Sequence, residues 1–463
     1  MNQLRALSPA LVLTAVTAVG LEASGQAPAA PDPVYVDVFA ADGTGRPVPA
    51  LRPDDVEVLQ DGAAVPVVAC VASGASRRGK ASEVSRLRQL QVVVFVDDAT
   101  TPAQRAAALA GADAALRELL ARPGSRVLVA SGGAGAAIRQ RLTTDPAQIS
   151  RALAALERGA GGDGQRSTAR AGAEAEGLPA LVESLRALPG RTAVVVVTGS
   201  LAALSGKPDP GGQPALLRTA AEAADAAGVA LYAIATDGAP GVAAARVTPQ
   251  ASGGPVPLAD PGDALAAVVR DLDAAWAVGF LPSSRGDGAR HRLDVRAKRE
   301  GITLRAGSVF ADVPDDERMA ARTAAALLLG FEDNPLGIQL TLASDQKPKD
   351  GMQVTSVLVT IPLANLSFEP KTVSHDSDLT LWLAARDGEG PVVRAPKVRF
   401  PVSVPNDRVL TALTQTASYE FKVPLKAGPC TFAVTVRDEI GRQSSTTIAT
   451  TAPAADAATG EMQ

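Results

Sequence analysis

The chain has 463 residues, of which 46% are hydrophobic and 20% charged, with a formal net charge of −4. That length points to two or three folded domains rather than one core. The balance of charge excludes a dedicated nucleic-acid surface, which needs clustered excess Lys and Arg, and two cysteines exclude a disulfide-dense scaffold.

In chain order, residues 1–27 read as a secretory signal. Arg5 supplies the basic start, Ala10 to Leu21 form the apolar stretch, and small residues follow, with cleavage after Gly25 or after Ala27. An apolar run of about twelve residues is shorter than the ~20 needed to span a bilayer. No later segment is long and apolar enough to span, so no membrane span is expected in the mature chain. Residues 28–75 form a small β module. Val34 to Phe39 and Val56 to Leu59 suit strands, Asp42-Gly43 suits a turn, and Asp61-Gly62 suits a hairpin before Val65 to Val71. Residues 73–88 are polar and basic and read as a connector.

From 88 to 280 the pattern changes. Val92–Val96, Val127–Ala130, Ala193–Val197 and Val229–Ala235 are unbroken, mostly β-branched apolar runs. Such runs suit strands buried on both faces of a parallel sheet. Ala-rich helical stretches separate them at 102–121, 146–157, 172–188, 214–227 and 262–276. Thr101-Pro102-Ala103-Gln104 and Asp145-Pro146-Ala147-Gln148 carry a side-chain N-cap, Pro at the first helical position and Gln at the third. Asp260-Pro261-Gly262-Asp263 is a looser version. The alternation predicts an α/β domain with a doubly wound, mostly parallel sheet. Gly-rich stretches 157–166 and 205–213 read as surface loops, and Ser131 to Gly135 as a turn before a strand at Ala136 to Leu142. That turn lacks the Lys and Ser/Thr of a phosphate-binding loop.

Beyond 280, residues 281–312 read as a closing β segment, with alternating strands around Glu300-Gly301. Residues 313–335 read as a linker with a short helix at 317–329. Short strands at 353–361, 379–384, 398–404, 419–425, 431–436 and 446–450 predict an immunoglobulin-like β-sandwich over 336–450. Residues 451–463 form a small, polar tail. Cys70 and Cys430 are expected as free thiols.

Together, Val36-Asp37-Val38, Asp42-Gly43, Arg46-Pro47-Val48, Asp54-Asp55-Val56-Glu57-Val58 and Asp61-Gly62 resemble the N-terminal signature of the von Willebrand factor A-related proteins abundant in Acidobacteria. Ala221 to Ile234 is similar to that family's late helix–strand unit. Val278 to Pro282, Arg292 to Val295 and Gly301 to Gly307 resemble its closing segment. The resemblance covers about residues 34–310. It implies a von Willebrand factor A-like fold over 88–280 and pairing of 34–72 with 291–310.

The resemblance also implies where a metal would sit. Many such domains hold Mg²⁺ or a similar ion through Asp-x-Ser-x-Ser after the first strand, with a distant Thr and Asp. Here the stretch is Asp97-Asp98-Ala99-Thr100-Thr101. Asp97 and Thr101 match the outer positions, Ala99 offers no oxygen, and Gly199 stands where an Asp is common. Thr168 is the nearest counterpart of the distant Thr, and Asp98 or Thr198 could compensate. The metal residues are therefore Asp97 and Thr101 in a degenerate motif, with Mg or Mn as the ion if one binds; no cofactor is expected. Thr101 is equally explained as a helix N-cap.

The chain has two histidines, His291 and His375. His375-Asp376-Ser377-Asp378 reads as a solvated turn and His291 as the start of an edge strand. The expected function is that of an exported protein-binding, adhesion or scaffold protein acting on an unknown protein partner without a metal, at the periplasm, cell surface or exterior. A metal-dependent adhesin is the first alternative and a hydrolase the second. No assembled nucleophile and base are evident, so no enzyme activity is expected.

Overall fold

The structure is a computed structural model. It describes residues 33–72, 89–132, 136–158, 177–199, 214–238, 241–247, 252–256, 263–284, 286–344, 351–388 and 390–451. The expected signal segment, the 73–88 connector, the glycine-rich loops, Thr168, the Asp260-Pro261 cap and most of the C-terminal tail lie outside these residues. The fold is mixed α/β, mostly strands, and is built as three layered units.

The central unit is a seven-stranded mixed sheet. Its order is Ser252–Val256, Gly241–Val247, Ala230–Gly238, Arg191–Thr198, Leu90–Asp97, Arg126–Gly132, Ala136–Thr143. The four middle strands run parallel, and the three outer ones are joined on through antiparallel pairings. All eight residues of Leu90–Asp97 and of Arg191–Thr198 are buried, as the unbroken apolar runs require.

Successive side chains alternate between two cores. Val92, Val94 and Val96 enter one, with the helices Pro102–Leu109, Ala112–Leu120, Pro146–Glu157 and Ala264–Asp273. Val93 and Phe95 enter the other, with the helices Leu178–Leu185 and Pro214–Ala227. The helical stretch expected over 102–121 divides in two at Gly111, whose φ of 71° is left-handed and leaves the helix.

The segment expected as a linker, 313–335, is instead a structural member. Asp315–Leu329 is a fifteen-residue helix, opened by Asp315, Asp316 and Glu317 at its positive end and closed by Gly330 in the left-handed conformation. Ala325, Leu329 and Phe331 complete the second core of the central sheet. Ala326 and Leu327, on the opposite side, pack on Ala384 and Ala433 of the C-terminal unit. Its apolar residues thus face two partners, which a short exposed linker helix would not.

The N-terminal unit is composed of chain segments from both sides of the central one. One of its sheets orders Ile302–Ala306, Val34–Asp42, Ala275–Phe280 and Val67–Ala72; the other orders Val309–Ala311, Arg290–Ala297, Val56–Gln60 and Ala63–Val65. Val38, Val58, Trp276, Val278, Phe280 and Leu293 share its core. Ala275–Phe280, expected as the end of the α/β domain, belongs here, paired antiparallel with Val34–Asp42. The strands 290–297 and 302–306 lie in different sheets, the first paired with Val56–Gln60 and the second with Val34–Asp42. At the predicted hairpin, Asp61 and Gly62 have φ of 51° and 87°, the two left-handed positions of a type I′ turn.

The C-terminal unit stacks a sheet of Gln339–Ser344, Met352–Pro362 and Thr416–Lys426 on a sheet built around Ser374–Asp387, Cys430–Asp438 and Gln443–Thr450. The strand 339–344 had no expectation in sequence. His375 to Asp378, expected as a turn, lies within the long strand Ser374–Asp387 and pairs with Val398–Pro405. Two of its polar side chains find partners there: His375 Nδ1 lies 2.9 Å from Asn406 Oδ1, and Asp376 Oδ1 accepts from Ser374 and Ser403. Cys70 and Cys430 are both free thiols.

A buried ion pair fastens the N-terminal unit to the central sheet. Arg191 Nε donates to Asp37 Oδ1 at 2.7 Å, with side-chain exposures of 7% and 17%, and a second guanidinium nitrogen donates to the Leu272 carbonyl at 3.1 Å. Asp37→Ala leaves a buried cation without its partner. It should cost about 3–5 kcal/mol, read as a fall in Tm. Phe331→Ala opens a cavity under the helix that serves two cores and should cost about 3–5 kcal/mol. A loss under 1 kcal/mol in chemical denaturation would show that helix 315–329 does not carry this packing.

Candidate functional site

Between Leu90–Asp97 and Arg191–Thr198 the strand order reverses. The second strand of the series, Arg126–Gly132, lies on one side of the first, and the third, Arg191–Thr198, on the other. The loops leaving the carboxyl ends of these two neighbours diverge to opposite sides, so a crevice opens there, the usual ligand position in such sheets. Asp97 and Thr198 sit at this point, since Val96 and Val197 are register partners.

The geometry at the crevice is occupied by the fold's own hydrogen bonds. Asp97 is 7% exposed. Its Oδ1 accepts from the Ala99 amide at 2.9 Å, and its main-chain carbonyl accepts from Thr100 Oγ1 at 2.6 Å. Burial pushes the Asp97 carboxyl above its ordinary range, and neighbouring Asp98 adds to that. The Ala99 amide and the Thr198 hydroxyl pull the other way. Thr101 caps the helix Pro102–Leu109: its Oγ1 accepts from Gln104 N at 3.3 Å while Gln104 Oε1 accepts from Thr101 N at 2.8 Å. Gln104 Nε2 then reaches across to the Gly199 carbonyl at 3.5 Å.

The two residues matched to the metal motif therefore have different local duties. Asp97 ends a buried strand and organises the turn after it; Thr101 begins a helix. A hard divalent cation wants about six oxygens. Ala99 contributes none, Gly199 has no side chain to offer, and the Thr101 hydroxyl oxygen is engaged as an acceptor. The donor set is poorer in side-chain oxygens than the full motif.

Sequence reasoning gave His291 no role beyond an edge strand, yet the structure places it among polar groups. Its Nδ1 lies 2.7 Å from Asp61 Oδ2 and its Nε2 lies 3.1 Å from Asp287 Oδ2 and 3.2 Å from Ser284 Oγ. Asp61 and Asp287 hold the imidazole's pKa above its ordinary value. Only the Asp61-Gly62 turn was legible beforehand; its reach to a residue 230 positions away was not. His375 lies in the C-terminal unit, so the two histidines share no site.

A cleft of about 1080 Å³ opens where the three units meet. Its walls include Tyr35 from the N-terminal unit, Leu188 from the central one, Met319 from helix 315–329 and Ser444 from the C-terminal one. Among the described residues no helix is long and apolar enough to cross a membrane.

No protein-family model matches the chain, and no curated protein matches it. Solved structures with some likeness include a structural genomics target, SoR45, at 13% identity over 26% of this chain and 84% of that one, with a TM-score of 0.17. The three N-terminal domains of the type V pili tip protein Mfa5 from Porphyromonas gingivalis align at 14% identity over 39% of this chain and 31% of that one, TM-score 0.18. The pilus adhesin SpaC from Lactobacillus rhamnosus GG aligns at 10% identity over 78% of this chain and 53% of that one, TM-score 0.24. The chain thus spans less than two thirds of either pilus protein, and at these scores the likeness carries no functional weight.

Because folding raises the Asp97 pKa, the ionised carboxylate costs stability above that raised value, and the cost disappears as pH falls below the ordinary value of 3.8. Asp97→Asn retains an acceptor for the Ala99 amide without the charge. The variant should melt at or above wild type at pH 7, with the gap narrowing toward pH 4. A variant that melts lower at pH 7, by an amount that grows with added Mg²⁺, would instead make Asp97 a metal ligand.

Proposed function

We propose that this chain is an exported von Willebrand factor A-related binding protein, and that it engages a protein partner through the strand-end crevice without a metal. The observation that carries the reading is the crevice at the strand reversal, whose oxygen donors serve the fold instead of standing open. Asp97, Thr100 and Thr101 are committed to turn and cap bonds. Exposed Asp98, beside the crevice, remains available to a partner. Loops at strand ends displayed on a rigid sheet are a common binding arrangement. The reading is of binding rather than catalysis. Export follows the basic, apolar and small-residue order at the N-terminus.

The test is a binding comparison. A partner isolated from envelope extract on the full chain would be purified and titrated against wild type in Mg²⁺, in Mn²⁺ and in chelator. Equal affinity in all three, with a loss of about tenfold (~1.4 kcal/mol) in Asp98→Arg, supports the proposal. Affinity that vanishes in chelator supports the metal-dependent alternative. An Asp98→Arg variant that binds like wild type places the interface elsewhere.

A further inference from the structure

Among the described residues, one group of three metal-competent side chains has its ligand atoms within 4.8 Å of one another: Asp287, His291 and Asp312. They come from a loop, the strand Arg290–Ala297 and the residue after the strand Val309–Ala311, which pairs with 290–297. Asp312 is 7% exposed, and its Oδ2 is buried without any hydrogen-bond partner. A buried carboxylate oxygen left unpaired is costly, and it needs a cation or donor that no described side chain supplies.

The surroundings are prepared for one. A carboxylate only accepts, so His291 Nδ1–H donates to Asp61, and Nε2, directed toward Asp287, would give up its own proton to an ion. A carboxylate behind a histidine is the usual support for a metal-bound imidazole, fixing its tautomer and orientation. The ring is further held against Phe310, stacked at 6.0 Å between centroids. Backbone bonds anchor the other two ligands. The Asp312 amide donates to the Ala289 carbonyl at 2.9 Å, the Gly288 amide donates to the Asp312 carbonyl at 2.9 Å, and Asp287 Oδ1 accepts from the Ala289 amide at 2.8 Å.

We propose that His291 Nε2, Asp287 and Asp312 form a site for a divalent first-row transition cation, zinc or manganese in class. An imidazole with two carboxylates favours such ions over Mg²⁺ or Ca²⁺, which take oxygen alone. Bonds of roughly 2.0–2.2 Å set ligand atoms roughly 3–4.4 Å apart, so the cluster closes on an ion with small shifts of half-exposed Asp287. Three protein ligands leave at least one coordination position open. Asp312 and Gly286 line the cleft between the three units, which gives that position access to water or to a partner's carboxylate. The site is separate from the strand-end crevice and does not depend on how that crevice functions.

The presence of only two histidines makes the test direct. The full chain, stripped with chelator and labelled at histidine, would be titrated with Mn²⁺ and followed through its two imidazole signals by NMR, and with Zn²⁺ by calorimetry. The proposal expects about one equivalent of Zn²⁺. It also expects substoichiometric Mn²⁺ to broaden the signal that is missing in His291→Gln and to spare the His375 signal. Asp312→Asn and His291→Gln should each weaken Zn²⁺ at least tenfold, since removing even a residue that only supports a ligand costs about that much. His375→Gln and Asp97→Asn should leave it unchanged. If Asp312→Asn does not fold, half-exposed Asp287→Asn takes its place with the same expectation. No saturable binding below millimolar Zn²⁺, equal broadening of both histidines, or full affinity in His291→Gln would overturn the proposal.

Discussion

A sheet whose central strands are apolar on both faces has no face to give to water, so it must be covered twice. The strands at 90–97, 126–132, 191–198 and 230–238 impose that requirement. On one face, four helices drawn from within the central segment meet it. On the other, Leu178–Leu185 and Pro214–Ala227 are joined by the C-terminal end of Asp315–Leu329 and by Phe331, which arrive from beyond the N-terminal unit. The same helix presents Ala326 and Leu327 to the C-terminal sandwich. Burial of one apolar face therefore ties two units together, and Arg322, donating to Ser444 and paired with Asp333, fixes the helix against the sandwich with polar contacts.

The N-terminal unit depends on the same logic of completion. Neither Val34–Ala72 nor 275–311 carries enough strands to bury Trp276, Val278 and Phe280 alone; interleaved, they form two sheets around one core. Because the central unit is inserted between them, the entry and exit of the inserted chain are pinned close together. Arg191 and Asp37 fasten that junction, and Asp225 on the helix Pro214–Ala227 adds a second tie by accepting from the Ser308 amide and hydroxyl. The cleft between units, with the Asp312 carboxylate in its wall, is a consequence of this closure.

The two polar centres of the molecule differ in how their atoms are used. At the strand-end crevice Asp97, Thr100 and Thr101 have local work in a turn or a cap. At the 287–312 cluster, the local hydrogen bonds orient the ligand atoms while leaving a buried oxygen unmatched. That contrast, rather than the number of acidic residues at either place, distinguishes the two centres.

Local sequence determined whatever short-range chemistry decides. Unbroken β-branched runs gave the buried strands, Thr101 and Asp145 with the prolines after them gave two helix starts, and Asp61-Gly62 gave a hairpin, because propensity, capping and turn geometry act within a few residues. The helix 315–329 was only partly legible, since its apolar residues face two partners and its periodicity blurs. The strand character of His375–Asp378 was hidden because His375 and Asp376 meet Asn406 and Ser403, residues far along the chain. Only the tertiary structure could assign Ala275–Phe280 to the N-terminal unit. Only it could bring Asp61, Asp287 and Asp312 around His291, because nothing in local chemistry specifies which distant strands pair.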